Sequence, residues 1–341
     1  MLYSIKQELH YQRRCGSLLA GFATRRLIYC NLQVTYRCQF RCSICDFWKT
    51  KHKAEEELSL DDIRVIGDKL ARYGTFIISL AGGEPLIRED LPEIIRILNA
   101  KGHFPILITN GWHVTPDLAE ELSVAGLQEI SVSLDYADPK RHDTMRGMDG
   151  AWERAVSALD TLNRARRDNR RRVHMISVLM DDNLDEVEPL LLLSRKLGVT
   201  YMLSLYSWNR GVKTRRLPED KVAARLLSLK KRYPEFVTLT SYIERLDEAI
   251  ETGGVGRCQA GRLMMNIDNM GRVARCTEML DSPAGNILIE DMDDIRAKLE
   301  DLQRTSACSE CWTSCRGFAE SITKRPLIRQ LREFYSSVRR Y

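Results

Sequence analysis

No stretch of this 341-residue chain is apolar for long enough to span a bilayer, so no membrane-spanning helix is expected. A continuous hydrophobic region is also missing from the N-terminal segment, where apolar and basic groups alternate. A secretory signal is therefore not expected, and the expected location is the cytoplasm. Charge of one sign does not dominate: 52 basic against 47 acidic residues leave +5. That excess is too small to argue for nucleic acid as a partner. The chain has no low-complexity tract and no internal repeat larger than a strand–helix unit.

What remains is 44% hydrophobic and 29% charged, the profile of a soluble globular protein with one large domain or two ordinary ones. The basic residues gather near the ends. Arg13, Arg14, Arg25 and Arg26 lie near the start, and Lys324, Arg325, Arg329, Arg332, Arg339 and Arg340 near the finish. They read as solvated helix faces; the alternative is a docking surface for an anionic substrate or peripheral contact with a membrane.

From residue 31 to 206, short Ile-, Val- and Leu-rich runs alternate with longer amphipathic ones. Strands are expected at Leu32–Thr35, Phe76–Leu80, Pro105–Thr109, Glu129–Leu134, Val173–Leu179 and Tyr201–Leu205. Little alternation within these runs fits strands covered on both faces. Ser59 with Asp62 forms a capping box before Leu60–Arg72, and Thr115 with Pro116 opens another helix. Gly74, Gly102, Gly126 and Gly198 each stand between a helical pattern and the next strand, where a left-handed cap is wanted. The rhythm predicts six successive βα units, an α/β partial (β/α)6 TIM-like barrel with its chemistry at the C-terminal strand ends. Residues 1–30 form a helical extension before it. After Leu205 the rhythm fails: 207–257 reads as a helical linker, with helices at Pro218–Arg232 and Ser241–Glu251, and 258–341 as a small cysteine-rich domain with a C-terminal helix.

The chain holds ten cysteines, and eight fall into two groups. In a reducing compartment, clustered cysteines read as metal ligands. Cys38, Cys42 and Cys45 follow the first strand directly. Three thiolates suit a [4Fe–4S] cube whose fourth iron keeps a position open. The alternatives are a zinc site completed by His52, at an unusual spacing, or a lone reactive cysteine. The second strand ends in Gly82, Gly83, Glu84 and Pro85; glycines admit close backbone approach and the carboxylate can accept from an ammonium. The third ends in Thr109, Asn110 and Gly111, and the fourth in Ser133 and Asp135, followed by His142, Asp143, Arg146 and Gly147. Short polar residues at these ends can bind a ribose or a carboxylate, or simply make turns and caps.

Cys38, Cys42 and Cys45, with GGEP at 82–85, resemble the signature of the radical SAM superfamily. The resemblance implies that these cysteines hold a [4Fe–4S] cluster and that S-adenosylmethionine binds its open iron. It implies a methionine amine held at Gly82, Gly83, Glu84 and Pro85, and a ribose or carboxylate near Asn110, Ser133 and Asp135. The reduced cluster would then cleave the cofactor to a 5′-deoxyadenosyl radical that takes hydrogen from a substrate. Ile44 departs from the family's usual aromatic, and Phe47 and Trp48 stand nearby to compensate.

Cys258, twelve residues, Gly271, four residues and Cys276 frame two expected short strands around a turn at Asn269–Gly271. Cys308, Cys311 and Cys315 follow. This resembles the SPASM and Twitch extensions of radical SAM enzymes. The full SPASM form uses more cysteines than five, so the resemblance implies one auxiliary [4Fe–4S] cluster with one thiol spare, Cys315 if the Cys308–Cys311 pair ligates. A structural zinc site is the alternative. The implied protein is an enzyme that needs an electron donor such as ferredoxin or flavodoxin and acts on a peptide, small molecule or lipid precursor. Only about 30 residues precede the barrel, short of a leader-binding domain of ~80 residues, so a peptide substrate would come with a separate carrier. The rival from another class is a non-enzymatic zinc protein with two cysteine staples.

Overall fold

A computed structural model describes residues 2–49, 53–168, 171–207, 216–306 and 308–324. Six parallel strands form its centre: β1 (Tyr29–Thr35), β2 (Ile77–Gly82), β3 (Phe104–Thr109), β4 (Glu129–Ser133), β5 (Arg172–Leu179) and β6 (Thr200–Leu205). Each expected strand is present, with ends moved by three residues or fewer. Their order in the sheet follows the chain, as successive right-handed βα units require. Alternate residues divide between the faces. Leu32, Val34, Ile78, Leu80, Leu107, Val132, Met175 and Leu203 join the main core, where helices Leu60–Ala71, Leu91–Ala100, Ala151–Arg164 and Val187–Leu197 cover them. Asn31 and Gln33 alternate with them on β1 and belong to the opposite, inner face.

Local chemistry starts and stops the helices where expected. Ser59 and Asp62 make the reciprocal capping box, and the Thr115 side chain accepts from the Leu118 amide. Gly126 and Gly198 take left-handed conformations as C-terminal caps, at φ 99° and 66°. The helix Leu2–Thr24 docks through Arg14 and the rings of Tyr11 and Phe22. Arg14 donates to Asn99 Oδ1 and to the His103 carbonyl, and its guanidinium stacks 4.0 Å from the Phe104 ring centroid.

Beyond β6 two expectations need correction. The helix expected from Pro218 begins at Ala223, because its first amides are capped from a distance: Asp247 Oδ1 accepts from Val222 and Ala223 at 2.7 and 3.0 Å. The helix expected over Ser241–Glu251 is two pieces, Thr240–Ile243 and Leu246–Thr252, broken at Arg245.

The hairpin is present as β7 (Met264–Ile267) and β8 (Arg272–Ala274), closed by Asp268, whose Oδ1 accepts from the Met270 and Arg272 amides. With β9 (Gly285–Asn286) it forms an antiparallel end to the sheet. β7 also pairs in parallel with β1, Tyr29 opposite Met264 and Leu32 opposite Ile267, so one sheet runs in the order β6-β5-β4-β3-β2-β1-β7-β8-β9. No described helix is long and apolar enough to cross a membrane.

Candidate functional site

Cys38, Cys42 and Cys45 lie in the loop that leaves the C-terminal end of β1. Two sets of backbone bonds hold that loop. On one side Gly83 N donates to Thr35 O at 2.7 Å and Glu84 N to Arg37 O at 2.9 Å. Glycine is required there: a Cβ on Gly82 would meet Thr35 O at 1.9 Å, and one on Gly83 would meet Arg37 O at 2.2 Å. The close approach these glycines permit is thus to the chain's own cysteine loop. On the other side Arg41 N donates to Arg146 O at 3.2 Å and Ser43 N to Met145 O at 2.9 Å, bracketing Cys42. Cys42 is buried and Cys38 and Cys45 partly so, packed with Phe40, Ile44, Trp112, Met148 and Ala151. Burial pushes the Cys38 thiol up to about 12 and raises Cys42 as well, although Arg146 pulls Cys42 back. Thiolates in this setting need positive partners, which iron would supply; the donor set fits a cluster.

Glu84 is buried at the end of β2, and burial pushes its carboxyl up to about 6. Oε1 accepts from Leu86 N and Thr109 Oγ1, and Oε2 from Asn110 N at 2.7 Å. The side chain therefore ties the end of β2 to that of β3, while Oε2 keeps one lone pair. Asn110 Oδ1 accepts from Trp112 N and from Gln39 Nε2, leaving its Nδ2 without a partner among the described residues. Ser133 is half-buried at the end of β4.

Asp135 is placed differently. It is wholly buried; Oδ2 accepts from Arg146 Nε at 3.0 Å and from Arg146 Nη2, and Oδ1 from Val178 N at 2.8 Å. It is committed to the fold. His142 Nδ1 accepts from the Asp135 amide, and Asp143 caps the next helix by accepting from Gly150 and Trp152. Ile44 touches both Phe40 beside Cys42 and a second cluster of Tyr136, Met145, Met180 and Tyr206. Phe47 packs on Tyr36, and Trp48 Nε1 donates to Cys42 O. His52 lies outside the described residues.

The second group is assembled from distant segments. Cys258, Cys276, Cys308, Cys311 and Cys315 line one pocket, with Met264 of β7, Glu278, Glu310 and Arg316. Among the described residues no three His, Cys, Asp or Glu side chains close on a point suited to one metal ion. Arg316, 2% exposed, organises this region. Its guanidinium donates to the carbonyls of Ser309, Cys311, Val255 and Gly256, and Nε donates to Glu320 Oε1 at 2.8 Å. Cys258 N donates to Cys308 O at 2.9 Å. Burial pushes Cys276 and Cys311 up to about 12 and raises Cys258; Arg316 pulls Cys258 and Cys311 back. Sequence reasoning missed Arg316. Its one local signal was Glu320 four residues on.

Known proteins share the fold and part of the sequence of this chain. Residues 32–193 match the Radical SAM superfamily. That match spans 162 of the 341 residues, just under half of the chain. The chain is 38% identical over 133 residues to the AdoMet-dependent heme synthase of Methanosarcina barkeri, a match covering 39% of this chain and 38% of that protein. It is 26% identical over 307 residues to the mycofactocin maturase MftC of Mycolicibacterium smegmatis, covering 84% of this chain and 76% of the maturase. The crystal structure of Streptococcus suis SuiB bound to precursor peptide SuiA superposes with a TM-score of 0.66 at 15% identity, over 82% of this chain and 67% of SuiB. As a radical SAM fold, the chain has its partial barrel in β1–β6, with the three-cysteine loop and GGEP facing each other at the strand ends.

Proposed function

We propose that this chain is an enzyme that cleaves S-adenosylmethionine reductively and removes hydrogen from a substrate. The observation that carries the reading is the joining of the cysteine loop to GGEP through Gly83 and Glu84. When bound, the cluster and S-adenosylmethionine supply one-electron cleavage of a carbon–sulfur bond and a 5′-deoxyadenosyl radical. The chain supplies the holding groups. Cys38, Cys42 and Cys45 are the proposed cluster ligands. Glu84 Oε2 is the proposed acceptor for the methionine ammonium, within a backbone cradle of Gly82, Gly83 and Pro85. Asn110 Nδ2 and Ser133 are proposed donors toward carboxylate or ribose. Asp135 is left out of the set, since it is wholly buried and its charge is already paired with the Arg146 guanidinium.

Since all five C-terminal cysteines line one pocket, four of them, Cys258, Cys276 and two of Cys308, Cys311 and Cys315, are proposed to hold one auxiliary [4Fe–4S] cluster in a SPASM/Twitch-type arrangement. Its role would be electron transfer or substrate positioning. The division at 31–206 and 258–341 is kept as a proposal, with the sheet continuous through both. Peptide modification is the favoured substrate class, because SuiB, whose fold this chain shares over 82% of its length, binds a precursor peptide; small molecules and lipid precursors are the other classes. A ferredoxin or flavodoxin is the proposed electron source and the cytoplasm the proposed location.

Anaerobically reconstituted protein should carry iron near eight per chain, as two cubes require. It should release 5′-deoxyadenosine from S-adenosylmethionine under a strong reductant. Changing Cys38, Cys42 and Cys45 together to Ala should remove about half the iron and all of the cleavage. Stoichiometric zinc with little iron would overturn the reading in favour of a zinc-stapled protein.

A further inference from the structure

Arg146 is a buried cation whose position serves no bond to the outside. It ends the helix Pro139–Arg146 and is 8% exposed. Its guanidinium is locked from behind by Asp135, which accepts from Nε and Nη2 through one oxygen and is itself wholly buried. Its backbone reaches the cysteine loop: the Arg146 carbonyl accepts from Arg41 and the Met145 carbonyl from Ser43, the residues on either side of Cys42. The helix end that carries this fixed positive charge is thus bonded to the chain on both sides of the middle cysteine.

We propose that Arg146 is a positioning residue for Cys42, and that the Asp135–Arg146 pair sets the reduction potential of the cluster that Cys38, Cys42 and Cys45 hold. The proposal rests on the cluster assignment above. A reduced cluster carries one more negative charge than an oxidised one, so a nearby cation stabilises it more than its parent, and a nearby anion does the reverse. In a buried, weakly screened setting such terms are felt at full strength. The two members act with opposite sign, so changing one of them moves the potential in the direction set by the other.

The predicted signature is a pair of opposite shifts. Arg146→Gln removes the cation and leaves Asp135 facing the cysteines. The reduced fraction at a fixed potential should fall about tenfold, equivalent to about 59 mV for a one-electron couple. Asp135→Asn removes the anion, keeps the guanidinium, and should shift the midpoint the other way. Arg146→Lys keeps the charge without the fork and should stay closer to the wild type than Arg146→Gln. The measurement is an electron paramagnetic resonance titration of the reconstituted full chain. The cluster in question is the one whose signal changes on adding S-adenosylmethionine. Iron content and thermal unfolding are read in parallel, so a purely structural role would show as equal iron loss in Arg146→Gln and Asp135→Asn with unshifted midpoints in the cluster that remains. That result, or shifts of the same sign, would overturn the proposal. A wild-type chain without such a signal would instead overturn the cluster assignment itself.

Discussion

The two cysteine groups solve the same problem in opposite ways. The N-terminal group sits on one loop, between Cys38 and Cys45, and that loop is held by backbone bonds to the GGEP turn and to residues 145 and 146. The C-terminal group draws its thiols from the segments at 258, 276 and 308–315, and its organiser is the side chain of Arg316. Each group keeps a buried arginine paired with a carboxylate, Arg146 with Asp135 and Arg316 with Glu320. The arginines do different work. Arg146 stands beside a loop that other bonds already hold, whereas Arg316 is itself the tie between segments. A local ligand set can rely on its strand end; a dispersed one needs a hub.

The sharpest way to break the comparison is to remove the hub. Arg316→Ala removes the shared donor to four carbonyls and the cation facing buried Glu320, which keeps its bond from the Gln259 amide. Removing one partner of a buried ion pair alone costs about 3–5 kcal/mol. The expected outcome is loss of the auxiliary iron, about half the total, with cleavage of S-adenosylmethionine retained. Arg316→Lys should rescue little, because a single ammonium cannot serve carbonyls that lie around a planar fork. Iron analysis and urea unfolding of the two variants check this. Full retention of iron in Arg316→Ala would show that the C-terminal cysteines hold their positions without the hub.

The converse change attacks the N-terminal loop. Gly83→Ala puts a Cβ against Arg37 O, a backbone atom that cannot swing aside. Overpacking of this kind costs about 1–3 kcal/mol. The loop and Glu84 should separate, so S-adenosylmethionine cleavage should fall at least tenfold while the auxiliary iron stays. If Gly83→Ala cleaved at the wild-type rate, the contact between loop and GGEP would be incidental to the chemistry.

The same contrast explains what was legible in the sequence. The strands β1–β6 and the cysteine loop were readable because their signals are local: apolar runs, caps, glycines, and ligands within one loop. The pairing of β7 with β1 was not, since Met264 and Tyr29 are joined only through the folded sheet. The late start of the helix at Ala223 was hidden for a similar reason: the group that caps it, Asp247, comes from another helix. Nothing local names Asp135 as the partner of Arg146, and Asp135 itself reads equally well as a ligand contact. Arg316 acts through carbonyls, and every residue type has a carbonyl, so no sequence pattern marks its partners.

The finest test concerns Glu84 alone and the proton it carries. Burial is the main cause that pushes its carboxyl up to about 6, against hydrogen bonds from Asn110, Leu86 and Thr109 that favour the charged form. Between the unfolded value of 4.5 and about 6, the folded chain holds a proton that the unfolded chain has lost. Stability from this group therefore falls as pH rises through that window, by about 2 kcal/mol in all. Binding of an ammonium has the opposite slope, because only the ionised carboxylate pairs with it at full strength. S-adenosylmethionine should accordingly bind about fourfold more weakly at pH 5.5 than at 7.5, the ratio of ionised fractions for a group titrating near 6. Glu84→Gln should bind more weakly at both values and show no such slope, since a carboxamide does not titrate and turns one donor toward amides that are themselves donors. Binding to the reconstituted protein, measured at the two pH values for both chains, is the check. Equal wild-type affinity at the two values would free Glu84 from any contact with the cofactor amine and leave it as the tie between β2 and β3.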